Sequence, residues 1–355
     1  MSLHFILGGS GSGKSTWLFK RIQKDASENP GINYLVLVPD QFTLETQKTL
    51  VSLNGNKGIL NIDVLSFHRL AYRAFEEVPA LRRTVLEDMG KIMILYQVFS
   101  KKKKEMLYFK RGLNAAGFLD ECKSLLCELA LYDVSEEALE ELMEKVGEDS
   151  LLGLKLHDIR LVYQAFTERM GDTYMMAEEL VPQLTRVVSS LEMMKHCVVC
   201  LDGFTGFTPT QYQFIEQLLC VARKVYISVT IAPGESVLKV GAEHKLFHMS
   251  QKTICRLRKL AKEHRVEVEE DIWVGEDFEK TRFAMAPGVR VLEEQLFRYP
   301  FSPCHEKVED VTIHVLKQPE EEVAFAVEQI SNLLRKEDCR YRDIAVVAGD
   351  LEVYG

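Results

Sequence analysis

The stretch "GGSGSGKST", Gly8 to Thr16, carries the most specific chemistry in the chain. Gly8, four further residues, then Gly13-Lys14-Ser15 fit the G-x-x-x-x-G-K-[ST] pattern of a phosphate-binding loop. Gly8, Gly9, Gly11 and Gly13, with Ser10 and Ser12 between them, let backbone amides turn toward phosphate oxygens. The helix that the loop opens adds the positive end of its dipole. In this pattern Lys14 reaches the β- and γ-phosphates of ATP, and the Ser15 hydroxyl ligates Mg²⁺. A second metal ligand should close a distant apolar strand, and Asp202, ending "CVVCLD", is the candidate. Many motors with such a loop place a glutamate next, to orient the attacking water. Here the next residue is Gly203, which has no side chain to do so. The run "VYISVTIAP" is likewise not followed by a glutamine to sense a γ-phosphate. No adenine-contacting segment is expected upstream, because only seven residues precede Gly8. The pattern predicts a loop that holds nucleotide in a site poorly equipped to hydrolyse it.

The loop needs a strand before it and a helix after it. "LHFIL" at residues 3–7 is that strand, and "KSTWLFKRIQKD" has helical composition. "YLVLVP" (34–39) and "ILNIDVLS" (59–66) read as further buried strands. Each is followed by a helix, one polar from about Gln41 and one being "FHRLAYRAFEE". This alternation implies an α/β fold with a parallel sheet covered by helices. From 79 to 192 no strand is evident, and four amphipathic segments predict an all-helical insertion. Strand character returns in "HCVVCLDGF" and "KVYISVTIAP". The α/β domain therefore comprises residues 1–78 and 193–305. A closing unit at 306–355 reads as strand "VTIHVL", a helix, and strand "DIAVVAGDLEVYG", the opening of a second, truncated domain.

Composition narrows the function classes. Of 355 residues, 46% are hydrophobic and 27% charged, which suits a soluble chain with a large core. The net charge of -9 gives no global nucleic-acid footprint, so any DNA contact must be local. Of the eight cysteines, Cys197 and Cys200 form a C-x-x-C inside a strand, where residues three apart face opposite ways, so they are expected to be buried, reduced thiols. The lack of a signal segment or long apolar run predicts a cytoplasmic protein without membrane contact. "KKKK" at Lys101 to Lys104 reads as a solvated loop, and the pairs Met175-Met176 and Met193-Met194 as core.

The order of these parts is similar to superfamily 1 helicases of the UvrD type, in which a RecA-like domain is split by a helical insertion and followed by a second. More specifically the chain resembles the AddB (RexB) family. "GGSGSGKST", "YLVLVPDQFTLE", "VLSFHRLAYR", "LDGFTGFTPTQYQFIEQLL" and "EEEVAFAVEQISNLLRKEDCRYRDIAVVAGDLEVY" carry that resemblance over the whole length. It implies one half of a heterodimeric helicase-nuclease that, with AddA, processes double-stranded DNA ends for recombinational repair. The family's nuclease domain and iron–sulphur cluster would lie in a C-terminal region beyond this segment, and none of the eight cysteines matches the cluster ligands. The resemblance also implies a poor motor that scans single-stranded DNA for the Chi hotspot sequence.

On this resemblance, DNA contacts fall on the turn after the second strand and the helix after the third. Gln41 and Thr43 could bond base edges, or Asp40 or Thr43 could simply cap a helix. Arg69, Tyr72 and Arg73 share a helix face opposite an apolar stripe of Leu70, Ala71, Ala74 and Phe75, and suit phosphate contact and base stacking. Phe67 lies on the apolar stripe by periodicity, whereas the resemblance makes it a stacking residue. Phe204 and Phe207 stand on a strand-end loop and are further stacking candidates. Two rival functions remain open. One is an active UvrD-like DNA translocase with Glu216 or Gln211 replacing the missing glutamate. The other is a nucleotide switch or small-molecule kinase with no role on DNA.

Overall fold

In the computed structural model, which describes every residue except 56, 57, 59, 111–114, 148, 276–280, 306, 337, 338 and 355, the apolar run before the loop is strand β1 (Ser2–Gly8). It is followed by helix α1 (Lys14–Glu28), β2 (Tyr34–Leu37), a 3₁₀ turn at Asp40–Phe42 and α2 (Thr43–Leu53). Then come β3 (Ile62–Leu65) and α3 (Phe67–Glu77). After the insertion the fold resumes with α8 (Leu180–Val187), β6 (Val198–Leu201), α9 (Pro209–Val221), β7 (Lys224–Thr230) and α10 (His248–Glu263). The strand order is β3-β2-β6-β7-β1, all parallel. Two short strands, β8 (Glu267–Val268) and β9 (Ile272–Trp273), add to the free edge of β1, also in parallel. Neither was evident in the sequence, since two residues are too few to show a period.

Because strand side chains alternate, the sheet buries two faces. Phe5, Leu7, Leu35, Leu37, Val199 and Leu201 pack on one side with residues of α3, α8, α9 and α10. Ile6, Val36, Cys200 and Tyr226 pack on the other with α1 and with Leu50 of α2. The two cysteines of the C-x-x-C behave as the pleat requires, Cys197 joining the first core and Cys200 the second. Burial pushes the Cys197 thiol up to about 12 and raises that of Cys200 as well, so both are inert neutral groups.

The insertion folds around its own core. Helices α4 (Asp88–Lys102), α5 (Phe118–Leu131), α6 (Glu136–Val146) and α7 (Leu151–Met170) make it up, and Leu95, Phe99, Leu126, Val162 and Phe166 are buried together there. The expectation of no strand here needs one correction. β4 (Thr84–Val85) and β5 (Tyr174–Met175) form a two-stranded parallel sheet where the chain enters and leaves the helices. Asp158 on α7 is fully buried, and its carboxylate accepts the amides of Leu107 at 2.8 Å, Tyr108 at 2.8 Å and Phe109 at 2.7 Å. Those bonds fix the turn that follows α4. The lysine run is the end of α4 and the turn after it, with Lys101, Lys103 and Lys104 exposed. Met175, Met176, Met193 and Met194 are all buried.

Residues Met1–Ala284 form one compact unit and Met285–Gly355 a second. The second holds α11 (Pro287–Gln295), α12 (Pro319–Lys336), where a helix was expected, and α13 (Leu351–Tyr354). The strands expected at 311–316 and within 343–355 do not form: residues 311–316 and 344–348 are irregular. A strand exists only through its ladder, and the apolar residues that suggested one, Ile313 and Val315, are 87% and 90% exposed. Among the described residues no helix is long and apolar enough to cross a membrane.

Candidate nucleotide and nucleic-acid site

The parallel sheet brings the carboxyl ends of β1, β2, β3 and β6 to one edge, the position where open α/β sheets bind ligands. The glycine loop leaves β1 there. Gly11 and Gly13 take φ of +71° and +93°, and Gly13 caps α1 in the left-handed conformation. A Cβ on Gly8 would lie 2.4 Å from the carbonyl oxygen of Val274, so the loop base also excludes a side chain. Among the described residues, the amides of Ser10, Gly11, Gly13 and Ser15 donate to no protein acceptor. Lys14 folds back over the loop and its Nζ donates to the carbonyls of Gly8 at 3.1 Å and Gly9 at 2.7 Å. Unpaired amides beside a lysine and a helix N-terminus fit the phosphates of a nucleotide.

Asp202 closes β6, with β7 standing between β6 and β1. It is buried, and the Ser228 hydroxyl on β7 donates to its Oδ1. A cavity of about 320 Å³ is lined by Ser15, Thr16, Asp202 and Gly203, with Glu45 and Thr46 of α2 opposite. The two residues expected to hold Mg²⁺ thus face one space, and a hydroxyl with a carboxylate is a donor pair that suits this hard cation. Glu45 was missed as a site residue. It is separated from the loop by α1, a strand and a turn, and only the packing of α2 beside α1 brings it in.

Gly203 has φ of +77°, and an added Cβ would touch Pro39 at 3.6 Å and Phe42 at 3.8 Å. The space is tolerable, but the backbone is not one an L-residue adopts cheaply. Gly203→Ala is therefore expected to lower stability by about 1–2 kcal/mol, read as a shift in the denaturant midpoint. An unchanged midpoint would contradict the left-handed turn. The residues considered as substitutes for the missing glutamate are engaged elsewhere. Glu216 Oε1 lies 2.7 Å from His264 Nε2, and Gln211 forms a reciprocal capping box with Thr208 at the start of α9.

Next to this cavity a groove of about 590 Å³ runs along the same sheet edge. Asp40, Gln41, Phe42, Phe67, His68 and Phe204 line it, so three residues expected to read DNA, Gln41, Phe67 and Phe204, meet there. Phe67 is 5% exposed, edge-on to Phe214 at 5.7 Å and tilted against Phe204 at 5.4 Å. Phe204 and Phe207 are half-buried and 5.2 Å apart, completing an aromatic row from core to rim. Thr43 is buried, and its hydroxyl donates to the Asp40 carbonyl at 3.0 Å; neither it nor Asp40 caps α2, whose N-cap is Phe42 without a side-chain bond. Arg69 and Tyr72 are exposed on α3, and Arg69 makes no ion pair with a described residue. Arg73 beside them is tied to Asp63 of β3 at 2.7 Å, a pairing across elements that no spacing along the chain announces. His68 was also missed; its Nδ1 lies 3.1 Å from Asp40 Oδ2, across the groove mouth.

Comparison with known proteins gives this geometry a family. The family described as "ADDB, N-terminal" matches residues 5–293. The B subunit of the ATP-dependent helicase/deoxyribonuclease of Lachnoclostridium phytofermentans is 40% identical over 100% of this chain, which covers 31% of that protein. Proteins of the same description from Acetivibrio thermocellus and Symbiobacterium thermophilum are 31% and 33% identical over 100% and 99% of the chain, covering 30% and 31% of their lengths. The chain thus spans less than a third of these relatives and aligns with one part of them. On the strength of that match, the chain belongs to the AddB N-terminal family.

Proposed function

We propose that this chain is the helicase-like N-terminal region of the B subunit of an ATP-dependent helicase-deoxyribonuclease. In this reading residues 1–78 and 193–305 are a RecA-like domain, 79–192 its helical insertion, and 306–355 the opening of a second RecA-like domain. ATP with Mg²⁺ would sit on residues 8–16 with Asp202, and single-stranded DNA along the groove beside it. The work is cytoplasmic, at double-stranded DNA ends, in a heterodimer with AddA that supplies the unwound strand. Strand reading, with Chi as its target, is the role rather than propulsion.

The observation that carries this reading is the shared wall. Val38, Phe42 and Gly203 line both the Ser15–Asp202 cavity and the groove of Gln41, Phe67 and Phe204. A nucleotide in the first would touch the residues that shape the second. The aromatic row offers π-faces to bases, and the exposed Arg69 offers a cation to the backbone. Arg69→Ala in the full-length protein is expected to weaken single-stranded DNA binding about 3–10-fold at low salt and to reduce the salt slope by about one. Affinity and slope equal to wild type across a salt series would remove Arg69 from the DNA path.

One observation favours the alternative of an active translocase. Glu45 lines the cavity of Ser15 and Asp202, where a carboxylate could orient water. DNA-stimulated turnover that disappears in Glu45→Gln would establish it.

A further inference from the structure

The opposite edge of the sheet, at the amino ends of β2, β6 and β7, holds a second polar cavity. Register places Tyr34, Val198 and Lys224 in one row across those strands, on the face that α1 covers. Arg21 and Asp25 of α1 stand over the row and Arg223 closes its rim, around a cavity of about 120 Å³. Backbone bonds pin the walls. The amide of Val198 donates to the Asn33 carbonyl at 2.9 Å, that of Arg223 to Cys197 at 2.9 Å, and that of Ser2 to Arg223 at 3.3 Å.

The lining sets three cations against one carboxylate. Arg21 is committed to Asp25, whose Oδ2 lies 3.2 Å from its Nε, and to the Tyr226 hydroxyl. Among the described residues neither Arg223 nor Lys224 has an ion-pair partner. Tyr34 is 2% exposed, yet its hydroxyl bonds no described residue although it lines the cavity. A buried hydroxyl left so is costly unless something in the cavity accepts from it. The positive field is felt at His4, which is stacked on Tyr226 at 4.5 Å. Its burial, and then Lys224 and Arg21, hold the imidazole down at about 4.

We propose that this cavity is an anion site for a free, doubly charged oxyanion of the phosphate class, held by the Arg223 guanidinium, the Lys224 ammonium and the Tyr34 hydroxyl. Two unpaired cations match two negative charges, and a guanidinium bonds a tetrahedral oxyanion in a forked, charge-assisted geometry. Sites for drug-sized ligands start at about 300 Å³, so the space suits a small ion rather than a nucleoside. Glu28 near Tyr34 and Glu267 near His4 would repel a polyanion such as a nucleic-acid backbone. The cavity lies across the sheet from the glycine loop and does not rest on the nucleotide reading.

The test is titration of inorganic phosphate into the full-length protein at constant ionic strength, read as the rise in melting temperature. Every protein carries Lys14→Ala, which weakens the competing loop. Arg223 is exposed, so its substitution leaves the core intact. Arg223→Ala is expected to raise the half-saturating phosphate concentration about tenfold, and Arg223→Lys less. Tyr34→Phe should raise it about fivefold and leave the melting temperature without phosphate equal or higher, because no protein bond is lost. No rise with phosphate, or the same half-saturation in all variants, would overturn the site. So would a Tyr34→Phe protein that is less stable without phosphate and binds the ion as before. If Arg223→Ala weakens a 5′-hydroxyl oligonucleotide as much as it weakens phosphate, the free ion is overturned and the cavity serves a nucleic-acid backbone.

Discussion

Lys14→Ala is expected to weaken nucleotide binding by about a hundredfold, the loss of roughly 3 kcal/mol of charge-assisted contact to phosphate. Two effects combine. The ammonium that would face the phosphates disappears, and so does the donor now bonded to the Gly8 and Gly9 carbonyls, 3.1 and 2.7 Å away. The glycines would keep the loop's fold, since their positive φ values and close approaches do not involve the lysine. Thermal stability without nucleotide should therefore change little, while stabilisation by added nucleotide should vanish. Isothermal titration of the two proteins measures it. Equal affinity would mean that the loop is a glycine-rich turn without a ligand.

Asp158→Ala is expected to have the largest effect on stability, a loss of about 3–5 kcal/mol. The carboxylate is fully buried and accepts three consecutive amides, those of Leu107, Tyr108 and Phe109, while His157 Nδ1 lies 3.1 Å from its Oδ1. Alanine would leave those donors without an acceptor and open space between α7 and the turn after α4. Asp158→Asn keeps the shape and one acceptor oxygen, so it should cost less. Because the insertion has a core separate from the sheet, nucleotide binding at low temperature should survive both changes. Denaturant unfolding followed by far-ultraviolet circular dichroism tests this, and equal midpoints for wild type and Asp158→Ala would contradict the role given to the carboxylate.

How much of this was legible in the sequence depended on the range of the interactions involved. β1, β2, β3 and β6 and the helix Phe67–Glu77 follow from apolar runs and a 3.6-residue period, because burial there is dictated by neighbours along the chain. β4, β5, β8 and β9 did not, since each is two residues whose pairing is decided by distant partners. The segment at 311–316 failed in the opposite direction, having the alternation of a strand but no ladder. The same distinction governs the site. Gln41, Phe67 and Phe204 each follow the end of a parallel strand, so topology alone collects them at one edge. Glu45 reaches the cavity only through tertiary packing, and the tie of Arg73 to Asp63 is equally invisible along the chain. The Gly203 departure was visible as a missing side chain. Its cause, a backbone at φ +77°, was not.

If the loop holds nucleotide in service of strand reading and does not drive a motor, turnover must stay low whatever DNA is present. The most direct test is ATP turnover by the full-length protein, purified without its partner, with and without single-stranded DNA, beside Lys14→Ala. The expected result is that nucleotide binds, that Lys14→Ala weakens binding about a hundredfold, and that DNA produces no rise in turnover. Turnover stimulated by DNA and lost in Lys14→Ala would contradict it, and would make Glu45 rather than Gly203 the residue that decides what this site can do.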